Sequence, residues 1–281
     1  MVKDFYKVAC VCLLFLFILS SQIFAFDKDD LRIFLSTGSC RPNGDLRNAI
    51  IRNVRVHNDA NLKGVNFSGA TLVNCRFQNV NLDSAIFDRS HIVNSVFNKT
   101  NLYGASFKHT NFNRAMFRNA NLQSTAFIHT KLIDSHFPDS DLSNSNFRFS
   151  NITSSSFLNT ILIDAIFDGV TLDKSSFSNA NATRSSMKAA TVIQSIFENA
   201  TLNYSNFLGS KFIGCCFNSA FIQSACLRST SFSNSTFIHA NLNGSKIEKA
   251  TFEFIMFGDT TWYNGSNVGF GEKPQMAAGN H

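Results

Sequence analysis

An apolar residue stands at every fifth position over most of this sequence. From Leu62 to Phe257, 40 successive positions at this interval hold Leu, Phe, Ile, Val, Met or Ala, without an insertion or deletion. The residue two places before each of them is also restricted, to Ala or Ser in most repeats and otherwise to Thr, Val, Cys or Ile. Neither the helical period of about 3.6 residues nor the strand period of about 2 fits this pattern. We therefore expect a solenoid that turns after each short segment and points one large and one small residue inward per repeat.

A longer period of twenty residues emerges when the central apolar positions are sorted into four columns. The column from Phe77 to Phe257 holds Phe at all ten positions, and the column from Leu62 to Leu242 holds Leu at eight of ten. The chain has 31 Phe but one Trp and four Tyr, which is typical of one packing position repeated many times. Four columns predict a four-sided solenoid whose equivalent residues stack about 4.8 Å apart, with about 11 coils and a length of about 50 Å.

The repeat unit resembles that of the pentapeptide-repeat family, which has a small residue, then Asn or Asp, then Leu or Phe, then two variable residues. Four segments match this unit closely: Ala60-Asn61-Leu62, Ala120-Asn121-Leu122, Ser140-Asp141-Leu142 and Ala240-Asn241-Leu242. The resemblance covers residues 44–262. It implies an all-β fold, the right-handed quadrilateral parallel β-helix of that family, with the small and the large residue both facing inward.

The two ends of the repeat array depart from the regular pattern. Three further repeats fit upstream of Ala60 if one extra residue is accommodated within His57–Asp59, where we predict a bulge. Residues 26–43 are predicted to form an N-terminal cap with a short helix that ends at Gly38, because repeat arrays need covered ends. Residues 263–281 are predicted to be a loop-like C-terminal tail without a helix.

The first 25 residues have the pattern of a secretory signal peptide. Lys3 and Lys7 precede an uncharged apolar run from Val8 to Leu19, and Ala25 stands at a suitable cleavage position. The run is shorter than the roughly 20 residues that a membrane span needs. We therefore expect export to the periplasm or the medium and no stable membrane span after cleavage. An uncleaved anchor is the alternative.

The sequence predicts no enzyme activity, no cofactor and no metal site. A filled rod with short turns offers no convergent pocket for a nucleophile, a base or a metal. His109 and His129 are twenty residues apart and should stack on adjacent coils, but no carboxylate or Cys in their column completes a ligand set. Cys75 and Cys215 lie seven coils apart, too far for a disulfide, and Cys40 in the cap has no evident partner.

The outward positions carry two groups of candidate contact residues. The first group is apolar and consists of Val73, Val93, Ile133, Ile193 and Ile213 on one side of the rod, with Phe254 and Ile255 near the carboxy end. Exposed apolar groups of this kind mark contacts, so we expect self-association, end to end or side by side. The second group, Arg76, Lys99 and Arg118, shares another side and is suited to an anionic surface.

These observations favour an exported, non-enzymatic, rod-like scaffold that binds a protein or a component of the cell envelope. The family resemblance also implies two alternatives. One is a DNA mimic that binds DNA gyrase, as quinolone-resistance members do, but this chain is basic, carries an export signal and lacks the C-terminal dimerisation helix of that subgroup. The other is a secreted bacterial effector. No nucleic-acid partner is expected.

Overall fold

The computed structural model describes residues 26–272 and residue 274, so the predicted signal peptide of residues 1–25 lies outside the described residues. The chain winds into a parallel β-solenoid of about ten turns with one short helix at its N-terminal end. Residues twenty apart pair on adjacent coils, as in the bridge between Asn81 and Asn101. The prediction of a right-handed quadrilateral parallel β-helix with an N-terminal capping helix is confirmed.

We name the four sides of the solenoid after one central residue of each, as the Leu62, Phe67, Leu72 and Phe77 sides. The Leu72 side is an eleven-stranded parallel sheet, whereas backbone pairing on the other sides is mostly through single bridges. The strands of this sheet are β1 (Ile50–Arg52), β3 (Thr71–Val73), β5 (His91–Val93), β6 (Asn111–Asn113), β7 (Lys131–Ile133), β8 (Asn151–Thr153), β9 (Thr171–Asp173), β10 (Thr191–Ile193), β11 (Lys211–Ile213), β12 (Ser231–Ser233) and β14 (Thr251–Glu253). The Phe77 side carries two parallel pairs, β2 (Arg55–Val56) with β4 (Arg76–Phe77) and β13 (Thr236–Ile238) with β15 (Met256–Gly258).

Each corner is turned by the second variable residue of the repeat, which adopts a left-handed backbone conformation. Asn74 and Asn94 have φ values of 55° and 49°, and Asn tolerates this region better than most residues. The same position holds Phe149 at φ 59°, although an aromatic side chain disfavours it. Its backbone N–H donates to the Asp168 carbonyl on the next coil at 3.1 Å, so coil-to-coil hydrogen bonding maintains the corner despite the side chain.

The interior is filled by the central and the small residues of the repeats, as predicted. The Phe residues of the Phe77 side form a continuous stack: the Phe157 ring lies 4.9 Å from that of Phe137 and 4.7 Å from that of Phe177, nearly parallel to both. Edge-to-face contacts join this stack to the Phe67 side, with Phe147 at 5.8 Å and Phe167 at 6.2 Å. Ring pairs at these separations are favourable beyond the area they bury.

The predicted cap helix is present as α1 (Lys28–Thr37). The Asp27 carboxylate accepts hydrogen bonds from the backbone N–H groups of Asp29 and Asp30, and Gly38 ends the helix at φ 64°. The fully buried Phe34 packs edge-on against Phe67, with 5.9 Å between ring centroids. The helix therefore covers the open end of the first coil.

The predicted extra residue near the N-terminal end is also confirmed. Arg55 pairs with Arg76, twenty-one residues further on, whereas Asn61 pairs with Asn81 at the regular spacing of twenty. The additional residue thus lies between Val56 and Asn61, where the predicted bulge was placed.

The C-terminal end is closed by a side chain and a short hairpin. Trp262 is fully buried, and its ring lies 4.9 Å from that of Phe252 and 5.4 Å from that of Phe257. Strand β16 (Thr260–Thr261) pairs antiparallel with β17 (Asn267–Val268). The tail is therefore not entirely loop, because it contributes this second strand.

Candidate interaction surfaces

The outer surface is organised as ladders of side chains that repeat every twenty residues. On the Leu62 side the Asn81, Asn101 and Asn121 amides each donate to the amide oxygen of the Asn on the preceding coil, at 3.0–3.2 Å. The predicted histidine stack is present, with 5.1 Å between the His109 and His129 rings, and Phe149 continues it at 5.3 Å. Within the described residues no group of three or more His, Cys, Asp or Glu is placed to hold a metal ion.

Opposite charges stack in the same way in the second half of the rod. Asp164 accepts two hydrogen bonds from the Arg184 guanidinium, at 2.8 and 2.6 Å, and this contact lowers the pKa of the carboxyl group. Glu248 contacts Arg228 at 3.0 and 3.1 Å, and hydrogen bonding to that guanidinium lowers the pKa of Glu248 from 4.5 to about 2. These pairs are not among the residues predicted from the sequence, although opposite charges twenty residues apart are visible in it.

A third ionic ladder surrounds Asp168, which lies between Arg148 and Lys188 on the neighbouring coils, at 3.5 and 3.4 Å. Burial raises the pKa of this carboxyl group, but hydrogen bonds from Ser186 and from the Lys188 backbone outweigh burial and the pKa is lowered overall. Each of these acidic residues is thus neutralised by a stacked cation, as expected of surface ladders and not of a catalytic acid.

The predicted apolar stripe is divided by polar residues. Val73 stands beside Val93, and Ile193 beside Ile213, in the third position of their strands on the Leu72 side. Ile133 is separate from both pairs, because Asn113 and Thr153 flank it. Ile213 is exposed and the other four are half-buried. The five residues therefore form two small patches and one isolated residue, a poor platform for a side-by-side contact.

The predicted basic residues come together on the Phe77 side. Arg76, Lys99 and Arg118 belong to three successive coils and are exposed. Arg55, which pairs with Arg76 across β2 and β4, and Arg114, at the corner that precedes this side, add to the group. Arg55 and Arg114 are not among the residues predicted from the sequence, although their positions in the repeat place them on or beside this side. We call these five residues the basic side.

The predicted carboxy-terminal residues line a groove at the end of the rod. The groove has a volume of about 560 Å³ and is lined by Phe252, Glu253, Phe254, Ile255, Phe257, Glu272 and Pro274. Phe254 is 84% exposed, the most exposed of the large apolar side chains described, whereas Ile255 is partly buried against the core. The contributions of Glu272 and Pro274 come from the tail and could not be foreseen from the repeat pattern. The structure thus brings Phe254 and Ile255 together in one apolar site with an acidic rim.

The opposite end of the rod has an apolar depression with a basic rim. Leu31 and Leu35 of α1 lie with Phe26 between Lys28 and Arg32. Leu35 is 49% exposed, so the outer face of the cap helix is not fully covered within the described residues.

The described cysteines are free thiols spread over the molecule. Cys75 and Cys215 are buried in the small inward positions, and burial raises the pKa of Cys215 to about 11. Burial, reinforced by the Asp30 carboxylate, also raises the pKa of Cys40 to about 11. A thiol with such a pKa is a poor nucleophile at neutral pH, so these side chains have a packing role.

No helix in the described part of the chain is long and apolar enough to cross a membrane.

Comparison with known proteins assigns the family. The family description "Pentapeptide repeat region" matches residues 70–147 and 90–167, and "Pentapeptide repeats (8 copies)" matches residues 188–218 and 222–253. No curated protein matches the sequence.

Similar folds occur among solved structures. HetL, a pentapeptide repeat protein involved in heterocyst differentiation regulation in the cyanobacterium Nostoc sp., is 16% identical over 84% of this chain and 97% of its own, with a TM-score of 0.52. QnrB1, a plasmid-mediated fluoroquinolone resistance protein, is 13% identical over 79% of this chain and 90% of its own, with a TM-score of 0.35. At these identities the likeness to HetL is one of fold alone. With the family matches covering more than half of the sequence, the chain belongs to the pentapeptide-repeat family.

Proposed function

We propose that this protein is an exported, non-enzymatic scaffold, a rod that binds its partners on its outer surface. The observation that carries the proposal is the filled interior: from Leu62 to Leu242 the central side chain of every repeat is at most 1% exposed. Binding therefore has to use the sides and the ends. An active site needs a pocket in which several reactive groups converge, and the regular five-residue repeats build ladders instead.

Export is supported by the sequence of residues 1–25, with its basic start, its apolar run and Ala25. The DNA-mimic alternative is disfavoured by the charge of the surface, because a mimic of a nucleic acid presents a negative face and the basic side is positive. The full sequence carries a net charge of +6.

Cell fractionation with intact-mass analysis tests the exported location. We expect a mature species that begins near Phe26, recovered outside the cytoplasm. A full-length cytosolic species would refute export and would place the partners of the rod in the cytoplasm. A full-length species in the membrane fraction would show instead that the N-terminal segment anchors the protein.

A second copy of this chain is the partner that fits the ends of the rod best. The C-terminal groove combines Phe254 with Glu253 and Glu272, whereas the N-terminal depression combines leucines with Lys28 and Arg32. Both ends therefore have an apolar centre, and the charges around the two centres are opposite. This combination favours head-to-tail contact. One local contact competes with this arrangement, because Arg32 also lies 3.3 Å from Asp29 of its own helix.

Replacing Phe254 with Asn is expected to weaken this self-association by at least about tenfold, because an exposed aromatic anchor is lost from the centre of the contact. Sedimentation velocity over a range of protein concentrations measures the effect. Tyr204→Asn is the matched control, since Tyr204 is a 64% exposed corner residue with φ 61°, against φ 53° for Phe254, and lies on an earlier coil, outside the C-terminal groove. A wild-type protein that sediments as a monomer at every concentration would contradict the prediction.

A further inference from the structure

The two halves of the rod differ in how many of their cations form ion pairs. Between residues 140 and 250 the three arginines and Lys188 pair with carboxylates on adjacent coils, as Arg184 does with Asp164. Between residues 52 and 131, one cation among the described residues forms such a pair, Lys63 with Asp83 at 2.8 Å. The cations of this segment without an ion pair to any described residue are Arg52, Arg55, Arg76, Arg89, Lys99, Lys108, Arg114, Arg118 and Lys131. The same register that neutralises charge in one half leaves it uncompensated in the other.

The basic side holds the densest part of this uncompensated charge. Arg55 and Arg76 are direct partners in the β2–β4 pairing, so their Cα atoms are separated by one coil, about 4.8 Å. Like charges directly opposite each other in neighbouring strands destabilise a sheet. Lys99 and Arg118 continue the group on the next two coils. Carboxylates border the group at both ends, Asp59 in a cleft shared with Lys99 and Asp134 and Asp139 on the coil that follows Arg118, but none of them forms an ion pair with the five cations among the described residues. Folding alone gives no reason for this arrangement.

We propose that the basic side is a docking surface for a membrane leaflet rich in anionic lipid headgroups. The five cations span this side of the solenoid from the corner at Arg114 to the corner at Lys99, on four successive coils whose central residues are Val56, Phe77, Phe97 and Phe117. Guanidinium and ammonium groups bind phosphate oxygens well, and clustered cations near a membrane surface add to one another. The rod thus lies on its side against the membrane. The proposal does not depend on export, because either location offers anionic leaflets.

The composition of this face favours a membrane over a nucleic acid. Proteins that bind single strands combine a basic groove with aromatic rings on which bases stack. The outward positions of the Phe77 side over these four coils hold no Phe, Tyr or Trp. The half-buried side chains of Val96 and Met116 lie between the cations instead. An array of cations along one side of the solenoid, with apolar side chains between them and no stacking rings, matches a headgroup surface better than it matches a nucleic-acid strand.

Vesicle co-sedimentation tests the proposal with the protein as isolated from the cells that produce it. The probes are vesicles of phosphatidylcholine alone and vesicles in which a third of the lipid is phosphatidylglycerol. The wild type should bind the anionic vesicles in preference, with an affinity that falls as salt is raised. The triple variant Arg76→Gln, Lys99→Gln and Arg118→Gln should bind about tenfold more weakly or worse, since each cation near a membrane surface contributes to binding.

The control removes the same net charge elsewhere. Three cations of the second half form no ion pair with a described residue: Lys174, Lys211 and Lys246. The triple variant that replaces each of them with Gln should keep its vesicle affinity within about twofold. Circular dichroism and the melting temperature report whether both variants remain folded.

Equal losses of vesicle affinity in the two variants would overturn the proposal, because net charge alone would then explain binding. Equal binding of the wild type to both vesicles would do so as well. Displacement from the vesicles by duplex DNA at matched charge concentration would assign the face to nucleic acid and also refute the proposal.

Discussion

Replacing Phe157 with Ala should lower the free energy of unfolding by about 3–5 kcal/mol, the usual cost of truncating a buried aromatic residue. Phe157 is fully buried, and it contacts rings on both neighbouring coils and on the adjacent side. The coils are held at a fixed spacing by backbone hydrogen bonds, including Phe157 N–H to the Ser176 carbonyl at 2.7 Å. The stack therefore cannot collapse into the cavity, which places the cost toward the upper part of the range.

Urea denaturation of the two proteins measures this loss. Because stability in a solenoid is distributed over neighbouring units, hydrogen exchange should also show faster opening in the coils around Phe157 than at either end. Phe149→Ala is the control, since it removes the same atoms from a side chain that is 58% exposed and should change stability by about 0.5 kcal/mol or less. Equal effects of the two substitutions would show that the Phe column does not act as a packed interior.

Replacing Ala120 with Phe should destabilise the protein by at least about 1–3 kcal/mol, through overpacking. Ala120 is 2% exposed at a small inward position, and its backbone N–H donates to the Ser140 hydroxyl on the next coil at 3.1 Å. A ring at this position has to displace that neighbour or the adjacent Leu122. Because the coil spacing is set by the backbone, the surrounding residues have little freedom to make room.

Thermal unfolding measures the effect of this substitution as well. Ala189→Phe is its control, because Ala189 is an exposed corner residue at φ 52° in the column that already accepts Phe149. We expect its effect to stay below about 1 kcal/mol. A wild-type melting temperature for Ala120→Phe would refute the inward assignment of the small residue, on which the account of the core depends.

Much of the candidate binding surface could be predicted from the repeat register. Arg76, Lys99 and Arg118 were placed on one side by counting, and the structure brings them together with Arg55 and Arg114 on that side. The apolar stripe is predicted less well. The repeat register identifies which residues share a column, but the prediction left out the polar residues that interrupt this column, such as Asn113 beside Ile133. The groove at the C-terminal end depends on how the tail folds back, which no period describes.

The four-sided solenoid, its inward positions, the site of the extra residue and the cap helix all follow from the sequence alone. The reason is that in a strict repeat the position of a residue in the period determines whether its side chain faces inward or outward. Because the same contacts recur in every coil, the five-residue pattern specifies the whole solenoid. The folded chain was needed to show which charges neutralise one another, as Arg228 and Glu248 do, and how Trp262, β17 and Glu272 complete the C-terminal end. The C-terminal features depend on non-repeating segments, for which the sequence contains no recurring pattern. The charge pairs depend on which of the opposite charges twenty residues apart come within reach of each other, and the period alone does not specify that.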